Sequence, residues 1–531
     1  MLPPHHAAQA ARYCQQGYWR AEPVPDHLRE GAERRPHALA LVDRIGSMTY
    51  AELDRAADSV AAFLASRGVG PGDAVGIQLP NTRSFAVVQQ AAIRLGAAYV
   101  PLLPQLREGD LAYMLDVAKV SVLVVPTLWR NFDHREMAAA LMKTLPGLRT
   151  VLVDGDVEPG SGLISLARIP PARFFGKPLD PNALRDILFT SGTEAQPKGV
   201  LHSYNTQCFG LHRQIAAFGL GPDDVVMAAS PVGHVTGAVN GVETALMIGG
   251  KVVLLDIWNP GEALDLFERE RVTMMWGAAT FFTDLVREQR AKPRDISAFR
   301  LALTAGAPVP RELVTAVGEV LGGNLLAAFG QSEGQNIALS RPTDPIERII
   351  GYDGRIHDGI DFRLRGEDGE DRTIGRGELI YRGPNLSLGY LERKHMAAAF
   401  ESDGFIRSGD IGEVDADRYL RIVGRAKDII IRGGENISPA EVEGLLFGHP
   451  AITAASVVGV PDERLGQHAV AVIVPAAGMK PTVADLTAWL AERNIAKFKW
   501  PEEVMLVDEL PMTPSGKVRK DVLRTMLAER A

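Results

Sequence analysis

Cysteine is scarce in this sequence, since the 531 residues include only Cys14 and Cys208. A secreted chain of this length that relied on disulfides would usually carry more, so the count favours a reducing cytoplasm. The first residues lack a basic segment followed by an apolar run. No window approaches the roughly 20 apolar residues that span a bilayer. We therefore expect an untargeted, cytoplasmic protein with no membrane span.

An excess of positive charge is also missing, because 57 Lys and Arg stand against 65 Asp and Glu, for a formal net charge of −8. Phosphate-backbone binding depends on a basic field, so nucleic acid is not an expected partner. Hydrophobic residues make up 46% and charged residues 23%, which is ordinary globular usage. Since single cores stop growing beyond roughly 250 to 300 residues, the chain should form two or more domains.

Strand and helix patterns alternate over the first 340 or so residues. Thr49 and Glu52 form a capping-box pattern ahead of an apolar stripe, and Gly68 supplies the helix stop. The predicted strands that follow are 74–80, 98–103 and 121–126, separated by predicted helices at 84–95 and 108–118. The same rhythm returns from 185 to 330, so we predict βαβ units around a mainly parallel sheet.

The sequence pattern changes from 350 to 424, where short apolar runs alternate with Gly and Asp turns. This pattern predicts a small antiparallel β element. The last 105 or so residues alternate strands and helices again, including a predicted helix in TVADLTAWLAERN. The expected fold is α/β, with a large N-terminal domain of layered α/β subdomains and a small β element over 1–426. A small mobile α+β domain follows over 427–531.

One loop has a composition that suits phosphate binding. Residues 186–200 read DILFTSGTEAQPKGV, an apolar strand that runs into Gly, Ser, Thr and Lys. Such a loop, from Phe189 to Gly199, offers backbone N–H groups and hydroxyls to phosphate oxygens, with Lys198 as a point charge. It is not a Walker A loop, because Pro197 stands where that motif requires glycine, and VLH predicts a second strand. Taken alone, the loop fits a polar surface turn equally well.

The loop is the first of eight ordered motifs through which the chain resembles the adenylate-forming superfamily of acyl-CoA synthetases, nonribosomal adenylation domains and firefly-type luciferases. The eight matches are Thr190 to Gly199; Pro231, His234 and Gly237; Gly306, Ala307 and Pro308; Phe329, Gly330, Gln331, Ser332 and Glu333; Ser408, Gly409 and Asp410; Gly424, Arg425, Lys427 and Asp428; Gly433, Gly434, Glu435 and Asn436; and Pro514, Ser515, Gly516 and Lys517. Glu194, Ala195 and Phe329 depart from the usual residues.

The resemblance implies an ATP-dependent enzyme that uses Mg²⁺ and forms an acyl-adenylate. Lys517, Thr193 and Glu333 would be catalytic, with Glu333 and Thr193 on the metal. The implied ATP or AMP contacts are Thr190, Ser191, Gly192, Lys198, Gly306, Ala307, Pro308, Phe329, Gly330, Ser332, Asp410 and Arg425. The C-terminal domain would rotate about Lys427, withdrawing Lys517 and bringing the CoA-side loop Gly433, Gly434 and Glu435 to the thiol.

The predicted acid pocket is apolar with few polar groups, which suits an aliphatic, alicyclic or aryl acid. Its predicted lining is His234, Val235, Val239, Gly277 and Gln331. Amino-acid-activating relatives carry an aspartate where this chain has Val235, so we do not expect an α-amino acid. Stretches such as RYCQQGYW and LWRNFD look closest to cyclohexanecarboxylate:CoA and short- to medium-chain fatty acid:CoA ligases. The expected small molecules are therefore a carboxylic acid, ATP and CoA.

Three alternatives stay open at this level. The acyl group could pass to a separate phosphopantetheinyl carrier protein rather than CoA. A luciferase-like oxidation is a remote option, because it depends on a special substrate. The fold could also serve as a non-catalytic nucleotide sensor, since Glu194 adds negative charge beside anionic phosphates. The sequence leaves the acid, the pathway and the oligomeric state, including a homodimer, undetermined.

Overall fold

The computed structural model describes residues 2–190, 196–305, 309–433, 435–493, 495–513 and 518–530. Its α-helices are α1 (Pro4–Ala7), α2 (Ala10–Gln15), α3 (His27–Arg34), α4 (Tyr50–Ser66), α5 (Arg83–Leu95), α6 (Glu108–Val117), α7 (His134–Thr144), α8 (Tyr204–Phe218), α9 (Thr244–Met247), α10 (Pro260–Glu270), α11 (Ala279–Ala291), α12 (Arg311–Leu321), α13 (Ile346–Gly351), α14 (Arg393–Ala399), α15 (Pro439–Leu446), α16 (Val483–Glu492) and α17 (Lys520–Ala528). A π-helix covers Thr236–Glu243, and 3-10 turns cover Leu166–Arg168, Ala426–Asp428 and Lys497–Lys499.

The strands are β1 (Leu39–Asp43), β2 (Gly46–Thr49), β3 (Ala74–Ile77), β4 (Ala98–Pro101), β5 (Val120–Pro126), β6 (Leu128–Trp129), β7 (Phe132–Asp133), β8 (Thr150–Asp154), β9 (Ile164–Ser165), β10 (Leu184–Thr190), β11 (Lys198–Ser203), β12 (Val225–Ala228), β13 (Lys251–Leu254), β14 (Met274–Trp276), β15 (Leu301–Ala305), β16 (Asn324–Gln331), β17 (Gln335–Leu339), β18 (Gly354–Ile356), β19 (Asp361–Arg365), β20 (Asp371–Arg372), β21 (Gly375–Arg382), β22 (Gly389–Tyr390), β23 (Ile406–Val414), β24 (Tyr419–Arg425), β25 (Ile430–Arg432), β26 (Glu435–Ile437), β27 (Ile452–Asp462), β28 (Gly466–Pro475) and β29 (Glu503–Leu506).

Helix α4 shows how local sequence sets an element. The Thr49 side chain accepts from the backbone of Glu52, and the Glu52 carboxylate accepts in return from the Thr49 backbone at 2.8 Å. These two bonds satisfy donors that a helix start leaves free. Leu53, Val60 and Leu64 bury the predicted stripe. The prediction for this helix is confirmed.

Strand pairing in the largest sheet changes from parallel to antiparallel across the sheet. Its order is β2-β1-β13-β12-β14-β15-β16-β17-β18-β24-β23-β21-β19-β20, and the pairs from β1 to β16 are parallel. From β16 onward every pair is antiparallel. The predicted β element of 350–424 is antiparallel as expected, but it continues this sheet through the β17–β18 pair instead of standing apart.

Strand β1 pairs in parallel with β13, with Leu41 opposite Val252. The two strands lie about 210 residues apart in the chain. Strand β2 covers the other edge of β1 in an antiparallel hairpin. The outer end of the large sheet therefore joins distant parts of the chain.

A second sheet has the order β22-β11-β10-β4-β3-β5-β8-β9, with parallel pairs from β10 to β9. One apolar core contains buried side chains of both sheets and of α4, α5, α10 and α11. The two sheets and the helices therefore form one layered α/β body, as the sequence predicts.

The last part of the chain has its own sheet, in which β26, β25, β28 and β27 follow one another and β29 pairs with β28. Helices α15 and α16 pack on this sheet in a separate core. The turn Ala426–Asp428 links β24 of the large sheet to β25 of this one. Among the described residues, no helix is long and apolar enough to cross a membrane.

Candidate functional site

Four of the predicted site segments follow or end adjacent parallel strands of the large sheet. The segments 231–239, 277, 306–308 and 329–332 follow or end β12, β14, β15 and β16, which are adjacent parallel strands. Carboxyl ends of neighbouring parallel strands form the crevice in which open α/β sheets bind ligands. Gly306, Ala307 and Pro308 lie outside the described residues, although Ala305 before them pairs with Ala328.

Phe329, Gly330 and Gln331 end β16, and Ser332, Glu333 and Gly334 form the turn to β17, so we call residues 329–334 the β16 turn. A Cβ on Gly330 would lie 2.0 Å from the backbone oxygen of Gln335, so only glycine fits there. The ring nitrogen Nε2 of His202 contacts the carbonyl of Ser332 at 2.7 Å. Phe329 packs partly buried against the core of the antiparallel strands. The turn therefore has a fixed shape at the predicted adenine side.

We predict that Gly330→Ala weakens ATP binding and slows carboxylate-dependent pyrophosphate exchange by about 10²-fold, the rate cost of misplacing a positioning group by an ångström. The added methyl group meets backbone rather than a flexible side chain, so the turn itself must move. Isothermal titration with ATP measures the affinity. Gly318→Ala on α12 is the matched control, because no atom lies within 4 Å of its Cβ. Unchanged ATP affinity in Gly330→Ala would remove this turn from the nucleotide site.

A carboxylate lies beside this turn. Asp410 on β23 is 3% exposed, and its Oδ1 accepts from Arg425 Nε at 3.1 Å. The amide of Gln331 donates to the Ser408 carbonyl at 2.8 Å and to Asp410 Oδ2. The structure thus joins Asp410, Arg425 and the β16 turn in one corner. The Gln331 amide is engaged by Ser408 and Asp410 in this corner. Its place in the acid pocket stays a prediction.

The predicted phosphate loop joins β10 and β11, two antiparallel strands in which Thr190 pairs with Lys198. Both residues are half-buried at the end of this β10–β11 hairpin, which we call the phosphate hairpin. Ser191, Gly192, Thr193, Glu194 and Ala195 lie outside the described residues. The predicted second strand after the loop is confirmed as β11.

Glu333 lies in the β16 turn, and its carboxylate Oε1 accepts from the hydroxyl of Tyr390 at 2.7 Å. No group of three or more His, Cys, Asp or Glu side chains within the described ranges could hold a metal. A single carboxylate fits Mg²⁺ nonetheless, because this ion usually takes one or two carboxylates together with substrate phosphates. Glu333 is thus suited to hold Mg²⁺ next to the phosphate hairpin.

The predicted acid pocket begins with the π-helix Thr236–Glu243 after β12. A Cβ on Gly237 would lie 2.4 Å from the carbonyl of Pro231, so glycine lets the helix turn directly off the strand. The Thr244 hydroxyl donates to the Val239 carbonyl five residues earlier at 3.2 Å. Such wide turns are frequent at functional sites. Val239 is buried in this helix.

His234 lies just before the π-helix and is half-buried. Its Nδ1 accepts from the backbone N–H of Thr236 at 3.3 Å and lies 3.1 Å from the Thr236 hydroxyl. Val235 packs partly buried against the large core. Gly277 follows β14, and a Cβ there would meet Phe281 at 3.0 Å. The Phe281 ring stacks on Trp258 with centroids 4.2 Å apart.

A buried ion pair between β10 and the π-helix was not predicted from the sequence. Arg185 on β10 bonds Glu243, the last residue of the π-helix, and Tyr99 donates to Glu243 at 2.8 Å. Although burial opposes its charge, the Glu243 carboxylate raises the pKa of Arg185. Burial also raises the pKa of the adjacent Asp186 to about 8. This pair ties the strand of the phosphate loop to the helix of the predicted acid pocket.

The predicted hinge, the predicted CoA-side loop and Lys517 come in or after the turn Ala426–Asp428 in the chain. Lys427 is in this turn, and Arg524 of α17 bonds its neighbour Asp428 at 2.9 Å. Gly433 and Glu435 flank the tip of the β25–β26 hairpin, where Gly433 N–H donates to the Leu465 carbonyl at 2.7 Å. Gly434 and Lys517 lie outside the described residues, and Met512 pairs with Val518 across the segment that contains Lys517.

The parallel strands that precede the predicted site segments, the β10–β11 hairpin and the separate C-terminal sheet are the features expected of an adenylate-forming α/β protein. The chain belongs to the AMP-binding enzyme family, whose pattern matches residues 28–391. The AMP-binding enzyme C-terminal domain matches residues 441–517. The resemblance stated from the motifs is confirmed.

Individual relatives are similar over nearly their whole length. The chain is 34% identical to the medium-chain fatty-acid–CoA ligase of Escherichia coli (strain K12), covering 98% of this chain and 93% of that protein. It is 35% identical to the 2-hydroxy-7-methoxy-5-methyl-1-naphthoate–CoA ligase of Streptomyces carzinostaticus, covering 97% and 95%. The crystal structure of ATP-bound MatB from Rhodopseudomonas palustris superimposes with a TM-score of 0.84 at 28% identity, covering 96% and 100%.

Proposed function

We propose that the protein is an AMP-forming acid:CoA ligase. It converts a non-amino, apolar carboxylic acid and ATP to acyl-AMP and pyrophosphate, and then converts acyl-AMP and CoA to acyl-CoA and AMP. The observation that carries this proposal is that the end of β16 and its turn carry bonds both to Asp410, through Gln331, and to Tyr390, through Glu333, and that Tyr390 pairs with the phosphate hairpin. Two curated relatives named as CoA ligases support the choice of acceptor.

The first half-reaction needs no general base. A carboxylic acid with a pKa near 4 to 5 is already ionised at neutral pH, so the barrier is the approach of an anion to a polyanion. Thr190, Lys198 and the hydroxyls of the loop between them would hold the phosphates. Glu333 would hold Mg²⁺, which neutralises phosphate charge when bound. Lys517 would stabilise the charge that develops at the α-phosphate.

Asp410 suits the ribose because a buried carboxylate can accept from both hydroxyls of a diol. Its bonds to Gln331 and Arg425 compensate its burial and fix its orientation. The β16 turn beside it would receive the adenine. ATP would therefore lie across the ends of β15 and β16 with its phosphates toward Lys198.

The second half-reaction requires a thiol to reach the carbonyl from which Lys517 must withdraw. Rotation about the turn Ala426–Asp428 would withdraw Lys517 and admit the thiol, because this turn is where the chain leaves the large sheet. This supports residues 1–426 and 427–531 as the two moving parts. Gly433, Gly434 and Glu435 would then face the thiol tunnel.

An apolar acid fits the described lining of the pocket. Val235 offers partly exposed aliphatic surface, Val239 is buried in the π-helix, and the Phe281 ring is fixed by stacking on Trp258. His234 supplies a polar edge and serves as lining, since its Nδ1 is already engaged by Thr236. The two relatives' names point to medium-chain fatty and bicyclic aryl acids. We therefore propose an aliphatic, alicyclic or aryl acid.

Carboxylate-dependent exchange of labelled pyrophosphate into ATP tests the proposal. We expect exchange with at least one acid in a panel of aliphatic, alicyclic and aryl acids, and none with α-amino acids. The best acid should then give acyl-CoA with CoA at a higher kcat/KM than acyl transfer to a holo carrier protein. Absence of exchange across the whole panel would favour a nucleotide sensor, and preference for the carrier would reassign the acceptor.

A further inference from the structure

A short segment, 384–391, lies against the phosphate hairpin. The Leu391 N–H donates to the Gly199 carbonyl at 2.9 Å, and the Leu388 N–H donates to the Leu201 carbonyl at 2.7 Å. Tyr390 is opposite Val200 in the β11–β22 pair. A Cβ on Gly199 would lie 2.4 Å from the Leu391 side chain, so the two backbones approach closely. The segment is therefore an added strand at the edge of the hairpin.

The same segment also holds the turn that carries Glu333. The Ser387 N–H donates to the Glu333 carbonyl at 2.7 Å. The side-chain amide of Asn385 donates to the carbonyl of Gly334. Both the backbone of Glu333 and that of its neighbour are thus bonded to 384–391.

Tyr390 completes this arrangement, because its hydroxyl reaches the carboxylate of Glu333 at 2.7 Å while its backbone pairs with β11. We propose that Tyr390 is a positioning residue that orients the Glu333 carboxylate toward a divalent cation on the ATP phosphates. The inference rests on the proposed function for the role of Glu333. Groups that bond a metal ligand from behind fix its direction, and losing one typically costs 10- to 100-fold in metal affinity.

Residues of helix α1, together with Trp19, also bond the backbone of this segment. His6 Nε2 bonds the Leu386 carbonyl at 2.6 Å, and Trp19 Nε1 donates to the Pro384 carbonyl at 2.8 Å. His5 Nε2 lies 3.0 Å from the Ser387 carbonyl. His6 and Trp19 are 1% and 3% exposed. Burial lowers the pKa of His6 to about 3, so its ring stays neutral at physiological pH and donates from Nε2.

Segment 384–391 therefore connects the first 20 residues of the chain to Glu333 and to the hairpin that carries Lys198. Because this segment bonds the backbone of both Glu333 and the phosphate hairpin, these hydrogen bonds fix the distance between the two. Tyr390 is the residue of this segment that touches the carboxylate itself. Its hydroxyl can therefore be removed while every backbone bond of the segment is kept.

Tyr390→Phe tests the inference by removing the hydroxyl alone. We expect the Mg²⁺ concentration for half-maximal pyrophosphate exchange to rise at least about 10-fold, with kcat largely restored at saturating Mg²⁺. Electron paramagnetic resonance of Mn²⁺ in the presence of ATP should show the same loss of affinity without any turnover. Phenylalanine keeps the ring contacts with His395 and Phe400, and thermal unfolding checks that the variant folds.

Tyr113→Phe is the matched control. The Tyr113 hydroxyl donates to Glu392 Oε2 at 2.6 Å, a bond of the same type two residues beyond Tyr390 and outside the phosphate hairpin. We expect its Mg²⁺ and Mn²⁺ affinities to equal those of the parent protein. Equal affinities in Tyr390→Phe, or a fall in kcat that excess Mg²⁺ does not relieve, would overturn the inference. Failure of exchange in the parent protein would instead contradict the proposed function, while the Mn²⁺ measurement with ATP still decides the role of Tyr390.

Discussion

Replacing Lys517 with alanine is expected to slow acyl-adenylate formation by about 10²- to 10³-fold, the usual effect of losing one charge-stabilising contact in a transition state. The lysine is predicted to meet the negative charge that builds up as the carboxylate attacks the α-phosphate. Conversion of synthetic acyl-AMP and CoA to acyl-CoA should stay near the parent rate, since the predicted rotation withdraws the lysine before this step. Single-turnover assays of the two half-reactions measure these rates separately.

Lys480→Ala is the control for this experiment. Lys480 is an exposed lysine of the C-terminal part, in the loop before α16. Its loss changes the net charge by the same amount and should change neither half-reaction. Equal losses in both half-reactions would contradict the assignment.

Lys427→Pro should have the second large effect, on the other half-reaction. We expect thioester formation to fall by at least about 10²-fold while adenylation is largely kept, because a misplaced reacting group costs about that much. Proline fixes φ near −65° and restricts the residue before it, whereas rotation about the turn Ala426–Asp428 requires these angles to change. Rates of acyl-CoA formation from synthetic acyl-AMP provide the measurement.

Lys427→Ala separates the charge of the side chain from the freedom of the backbone. Alanine removes the ammonium but leaves φ free, so this variant should complete both half-reactions. If Lys427→Pro does so as well, the hinge lies elsewhere. If both variants lose thioester formation equally, the ammonium rather than rotation at this residue is required.

Local patterns in the sequence predicted much of the fold. Helix α4 follows from a capping box and a stripe of period 3.6, and β3, β4 and β5 follow from apolar runs bounded by turns. The order of motifs predicted the family, which is confirmed. The strands of 350–424 were predicted as antiparallel, but their continuity with the large sheet depends on the β17–β18 pair, which no local pattern encodes.

Parts of the candidate site could not be predicted because they depend on contacts between distant residues. His6 bonds a carbonyl 380 residues away, and Tyr390 bonds a carboxylate 57 residues away. The buried pair of Arg185 and Glu243 joins a strand to a π-helix whose width gives no clear periodicity in sequence. The roles of Thr193, Glu194, Lys517 and the loop 306–308 stay predictions, since these residues lie outside the described ranges.

The pairing of β1 with β13 also has a consequence during synthesis of the chain. Strand β1 emerges from the ribosome about 210 residues before its parallel partner exists. At typical elongation rates this interval lasts roughly 10 to 40 s, far longer than a hairpin needs to form. During that time β2 can cover one edge of β1, but its other edge and the apolar Ala40, Leu41 and Val42 remain available to other chains. The nascent protein should therefore depend on chaperones until residue 254 has been made.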